Sequence, residues 1–284
     1  MIKNRPAIPR WDDVGKRQSS HPRIMTVYKY VTPERVDVLI NGRVRFTQAA
    51  ALNDPFETHP CLTLLRESFE ESARKLVDSV KGRFDANSIV AGRIMIPKKV
   101  RDSVAEFQHG LAEDYPMFCV TRKGNNLLMW SHYADSHRGF VIGFDSDNPF
   151  FHREKPRALT PLDEVRYSNK RPVMPPFEGS TPENVHEIVF LTKSEDWAYE
   201  EELRMFAQPG AANDIGKDNR GLNIYLFDLP PEVFVEIIFG LLMSPNVKHE
   251  IAAIVKDRYP HIELYETKLS ETDFDLDVVP CRNR

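Results

Sequence analysis

The spacing of apolar positions changes period several times along the chain, and each change predicts an element. Met25-Thr26-Val27-Tyr28-Lys29-Tyr30 alternates as a half-buried strand does. Thr32-Pro33 then offers an N-cap and a first-turn proline, and Val36, Leu39 and Ile40 recur at helical spacing before Gly42 ends the run. Val44–Thr47 alternates again, so the opening reads strand, short helix, strand. Leu52-Asn53-Asp54-Pro55-Phe56-Glu57 is dense in turn formers. Helices are expected over 62–81 and 97–114, with their charges on the outer faces. Strands at 116–121 and 139–144 flank a brief helix, 127–134, which Asn125 or Asn126 can cap. The proline-rich stretch 146–180 reads as loop with one strand at 165–167. Further helices are expected over 182–191 and 245–259, and strands over 200–207, 222–227, 235–239 and 262–267.

Strands and helices mingle without a regular βαβ alternation, which predicts an α+β fold of mixed and antiparallel strands with inserted helices. Residues 1–24 carry three prolines and many charges and read as a flexible arm, leaving 25–284 as a single domain. The net charge of −4 gives no global basic field, so nucleic acid is not signalled as a partner, and the target, macromolecular or small, stays open. Three cysteines without metal-ligand spacing fit neither a disulfide framework nor a zinc site. The longest apolar stretch, Phe234–Met243, is interrupted by Glu236 and falls short of the ~20 residues that span a bilayer. The expected location is cytoplasmic.

Four segments concentrate side chains able to do chemistry. In Tyr199-Glu200-Glu201-Glu202-Leu203-Arg204, a strand would put Glu200, Glu202 and Arg204 on one face and Glu201 on the other. Two carboxylates and a guanidinium are costly to bury unless paired or facing a cleft; the plainer alternative is a solvated edge strand with its own ion pair. In Met129–Gly139, a helix would put Trp130 and Tyr133 on one face with His132 turned away from Trp130. Those two rings could equally be core, with His132 and His137 holding the turn. Asn53 and Asp54 beside Pro55 make turns for local reasons. In Tyr28-Lys29-Tyr30 both tyrosines share a face and Lys29 takes the other. Walker, dinucleotide-glycine, GxSxG and HExxH motifs are absent.

Together these segments resemble an uncharacterised bacterial family that includes AbiGi-type abortive phage-infection proteins. The likeness rests on Tyr28-Lys29-Tyr30, Arg45-Phe46 with Asn53-Asp54-Pro55-Phe56, Phe118-Cys119 before Leu128–Ala134, His137-Arg138-Gly139-Phe140, Trp197–Arg204 and Ile237–Gly240. More distantly, the strand–helix–strand opening and the late Glu-x-Glu are similar to the layout of ADP-ribosyltransferases, which implies a split sheet and NAD as substrate. That resemblance implies Lys29 or Tyr30 at the ribose, Tyr133 or Trp130 at the nicotinamide, and Glu202, assisted by Glu200, at the ribose hydroxyl. On this reading Glu200, Glu202, His132 and Tyr133 do the chemistry, while Tyr28, Lys29, Tyr30, Asn53, Asp54, Trp130 and Arg204 bind NAD. Two other classes compete. One is a metal-dependent nuclease-type toxin with Asp54, Glu57, Glu200 and Glu202 as ligands and His132 as base; the other is a non-catalytic sensor or interaction module.

Overall fold

Alternation along β1 (Thr26–Val31) decides what each side of the main sheet is made of. Val27 and Val31 are buried in the large apolar core, while Tyr28 and Tyr30 join a second, aromatic cluster on the opposite face. The computed structural model describes residues 26–79, 102, 104–152, 159–176 and 182–281. The arm expected over 1–24 lies outside them, as do 97–101 and 103 of one expected helix. Described residues group into two compact units, one drawn from 48–115 and 166–195, the other from 26–47, 116–165 and 196–281.

The second unit holds an eight-stranded sheet in the order β13-β12-β11-β4-β1-β3-β8-β5. Its members are β1, β3 (Met117–Thr121), β4 (Phe140–Asp145), β5 (Asp163–Glu164), β8 (Glu202–Phe206), β11 (Phe234–Phe239), β12 (Glu263–Leu269) and β13 (Leu276–Pro280). All neighbours are antiparallel except β11 and β12, which α6 (Pro245–Arg258) connects as a parallel pair. The fold is therefore α+β with a mixed, mostly antiparallel sheet. One face carries Val27, Phe118, Val120, Ile142, Phe144, Leu203 and Met205 into the large core, which Ile251 and Val255 of α6 and Leu39 of α1 (Asp37–Asn41) also enter. Gly42 ends α1 at φ 65°, a left-handed C-cap that costs glycine little. The strand that follows, β2 (Arg43–Phe46), pairs with β10 (Asn223–Asp228) and through it β9 (Asp214–Lys217), a separate three-stranded sheet.

On the other face lies α4 (Leu127–Tyr133). Asn126 caps it, accepting from the N–H groups of Leu128 and Met129, as the sequence suggested. Trp130 is fully buried and meets Tyr30 edge to face at 5.1 Å. After the helix, Asp135, Ser136 and His137 adopt φ of 46°, 51° and 68° in succession. This left-handed run turns the His137 and Gly139 N–H groups back onto the carbonyls of Trp130 and Ala134, satisfying the helix end. Gly139 and Gly240 permit the close approach that follows: a Cβ on Gly240 would lie 2.3 Å from the His137 carbonyl oxygen.

The first unit contains α2 (Thr63–Ser79), a helix α3 over 104–113, α5 (Pro182–Phe190) and a parallel pair of short strands, β6 (Arg166–Ser168) and β7 (Thr192–Ser194). Its core includes Leu65, Phe107, Leu111, Val185 and Val189, and Tyr115 tilts against Phe190 at 4.9 Å.

Candidate functional site

Register across the second unit's sheet lines up one row of side chains on the aromatic face. Glu263 stands beside Glu236, Glu236 beside Gly143, Gly143 beside Tyr28, Tyr28 beside Thr121, and Thr121 beside Glu202. Gly143 leaves room for the Glu236 side chain, whose Cγ would sit 2.5 Å from a Cβ there. Across that gap the Tyr28 hydroxyl reaches the Glu236 carboxylate; burial first, and that carboxylate second, push the Tyr28 phenol up. Burial likewise raises Glu236, with Glu263 adding to the effect.

At the other end of the row β8 begins differently from the expectation. The strand starts at Glu202, not Glu200: residues Glu195–Glu200 form a 3-10 helix, and Glu201 between them sits at φ 43°. A non-glycine residue in this region is strained by about 1 kcal/mol or more and is held by its surroundings. Here the Glu201 N–H donates to Ala198, its carbonyl accepts from Arg122, and its carboxylate pairs with Lys123 at 2.7 Å. The reversal sends Glu201 outward and leaves Glu200 and Glu202 buried, at 3% and 6% exposure.

The two buried glutamates have different partners. Glu202 takes a bidentate pair from Arg204, Nε to Oε1 at 2.9 Å and Nη2 to Oε2 at 2.8 Å, and Arg204 is wholly buried. β8 is an interior strand, between β3 and β5, so the solvated edge strand considered above does not apply, although the ion pair within it does. The Cys119 thiol beside this pair is raised well above its ordinary value by burial and by the Glu202 carboxylate, to which it hydrogen-bonds. Glu200 instead accepts from the Tyr133 hydroxyl at 2.5 Å. Burial, then the Glu200 charge and hydrogen bond, push the Tyr133 phenol far up, so Tyr133 stays a donor.

Next to Tyr133 is an aromatic group reaching solvent. The exposed His132 ring meets Tyr133 edge-on at 6.2 Å, Trp197 at 6.4 Å and Tyr199 at 6.0 Å. His132 Nδ1 lies 2.9 Å from the Tyr199 hydroxyl, and the Tyr199 carbonyl accepts from the Asn126 side chain.

The structure thus brings Tyr133, Glu200, Glu202, Arg204 and His132 together, with Tyr28 and Tyr30 on the same sheet face. It separates four others by role. Lys29 points to the opposite face, where Nζ donates to the Cys119 carbonyl at 2.8 Å and lies 4.8 Å above the Phe118 ring; burial lowers its pKa. Trp130 has no exposed surface and serves as core. Asn53 and Asp54 belong to the first unit, where Asp54 is buried and accepts from the Phe56 N–H in an Asx turn. Sequence reasoning assigned no role to Tyr199, Cys119, Thr121 or Glu236 as neighbours of the site. Tyr199 opens a segment singled out above, and alternation from Met117 puts Cys119 and Thr121 on one face, but no signal pointed to Glu236.

Among the described residues no group of three or more His, Cys, Asp or Glu is placed to hold a metal ion, and no helix is long and apolar enough to cross a membrane. The model of a family described as a protein of unknown function, DUF2971, matches residues 129–205. That stretch runs from Met129 in α4 to Met205 in β8 and so contains His132, Tyr133, Tyr199, Glu200, Glu202 and Arg204. No curated protein and no solved structure matches the chain.

Proposed function

We propose that the α4–β8 site transfers a ribosyl group from NAD, as ADP-ribosyltransferases do, and that its setting is the antiphage defence to which the AbiGi-type resemblance points. The observation that carries this reading is the buried Glu200 carboxylate fixed by Tyr133 at 2.5 Å, two residues before a second buried carboxylate at Glu202. Cleavage of a nicotinamide–ribose bond builds positive charge at the anomeric carbon. A carboxylate held in a dry, low-dielectric place stabilises that charge far more than it would in water. The nicotinamide-ribose end of NAD suits these side chains: carboxylate oxygens accept ribose hydroxyls, and the half-buried rings of Tyr28 and Tyr133 can lie against a cationic pyridine. The roles expected from resemblance are redistributed. Glu202 is committed to Arg204 and holds the strand, so Glu200 takes the carboxylate role; Lys29 drops out because it faces the other side of the sheet.

The test is nicotinamide release from NAD by the purified full chain, with label transfer to a cell extract followed in parallel. Glu200→Gln is expected to lower release about 100- to 1,000-fold, the usual effect of removing one preorganised electrostatic group. If the wild-type chain yields neither nicotinamide nor transferred label, and NAD leaves its melting temperature unchanged, the proposal is wrong.

A further inference from the structure

We infer that His132 is the general base that takes the proton from the acceptor, and that the acceptor is a neutral hydroxyl. This rests on the ribosyl-transfer reading above and assigns the half of the reaction which the glutamates leave open. His132 is exposed, at the edge of the Tyr133–Glu200 pair. Its Nδ1 is held by the Tyr199 hydroxyl at 2.9 Å, and Tyr199 is in turn tied through its carbonyl to Asn126, the cap of the helix that carries His132. General-base action uses the tautomer in which Nδ1–H donates to Tyr199, which puts the lone pair on Nε2, for which no partner exists among the described residues. Trp197 and Tyr199 flank the ring at 6.4 and 6.0 Å and limit its reorientation. Glu200 is already assigned to the charge that develops at the ribose, and Tyr133 is a phenol that keeps its own proton and donates to Glu200.

The step balances. The acceptor oxygen attacks the anomeric carbon while the bond from that carbon to the nicotinamide nitrogen breaks, its electron pair leaving with nicotinamide, which departs neutral. The acceptor's proton passes to His132 Nε2. A hydroxyl needs such a base; an already anionic nucleophile does not.

That difference supplies the test. The full-length protein is given NAD with methanol, or with sodium azide, and the alkyl and azido ADP-ribose products are measured. His132→Ala is expected to lower methanol transfer about 100-fold or more, the ordinary yield of general-base catalysis, while azide transfer stays within a few-fold of wild type. Added imidazole should restore methanol transfer, which a merely structural loss would not allow, and Tyr199→Phe should act in the same direction with a smaller loss. Equal loss with both nucleophiles, or no loss with either, overturns the assignment of His132 while leaving the glutamate site standing. A wild-type chain that releases no nicotinamide with any nucleophile overturns both.

Discussion

Single atoms set the limits on what this sheet tolerates. A Cβ on Gly139 would lie 2.0 Å from the Val31 carbonyl oxygen, a backbone atom that cannot step aside. Gly139→Ala should therefore lower stability by about 3 kcal/mol, the upper range for overpacking, read as a shift of the urea midpoint; a change under about 1 kcal/mol would refute it. Arg204→Met removes the bidentate partner of Glu202 in a fully buried place, and a loss of about 3–5 kcal/mol is expected, with most of it recovered in the Glu202→Leu/Arg204→Met double variant. If the double variant is as unstable as the single one, the ion pair is not what the cost reflects. At this scale the sequence was informative wherever alternation ruled: it put Tyr28 and Tyr30 on one face and Lys29 on the other. It could not show the left-handed Glu201, because φ there is imposed by Arg122, Lys123 and Ala198, residues whose nearness depends on the folded sheet.

Elements with a strong local signal were legible, and those made by their neighbours were not. α4 declares itself through Asn126 and the apolar Leu127–Trp130 run, whereas β9 is exposed along its whole length and contains Gly216, so it exists only because β10 offers an edge. β13 was missed for a related reason: it pairs along the edge of β12, buries only Leu276 well, and closes on Pro280, as edge strands can. Glu200 read as the start of a strand because it alternates with Glu202 and Arg204; the chain instead coils once over Glu195–Glu200 and reverses at Glu201. The cap makes a prediction for the helix. Asn126→Ala should cost about 1–2 kcal/mol, from the lost N-cap together with the lost hydrogen bond to Tyr199, measured by thermal melting. Asn126→Asp should keep the cap but lose the donor to the Tyr199 carbonyl, so a variant as unstable as the alanine would show that the cap is not the main contribution.

For the molecule as a whole, the α+β class and the large core were readable from composition and period. Which strands share a sheet was not: β1 and β2, adjacent in sequence around α1, lie in different sheets because pairing is chosen by long-range register. Alkaline pH probes the folded state as a unit. Burial raises the phenols of Tyr28, Tyr30, Tyr115 and Tyr133, Tyr115 to about 12, so the folded chain keeps these protons where the unfolded chain, titrating near pH ~10, has lost them. The unfolded state then binds fewer protons, so their contribution is intact below pH ~10 and falls as pH climbs from there towards the folded values. Phenolate absorbance and loss of folded signal should rise together above pH ~10; full ionisation of all nine tyrosines with the fold intact would contradict this.

The turn after α4 is fastened to the end of β11 by main-chain bonds, from Gly240 N–H to the Gly139 carbonyl and from Leu242 N–H to the His137 carbonyl. Anchorage of that kind makes no use of the side chains at 135 and 136, both of which lie exposed, but their left-handed φ favours Gly, Asn or Asp and penalises β-branched residues there. Within that set, sequences can drift at these two positions while Tyr133 and His132 keep their station over the sheet. Proline at 240 or 242, which abolishes an N–H, would be the change that cuts the mooring.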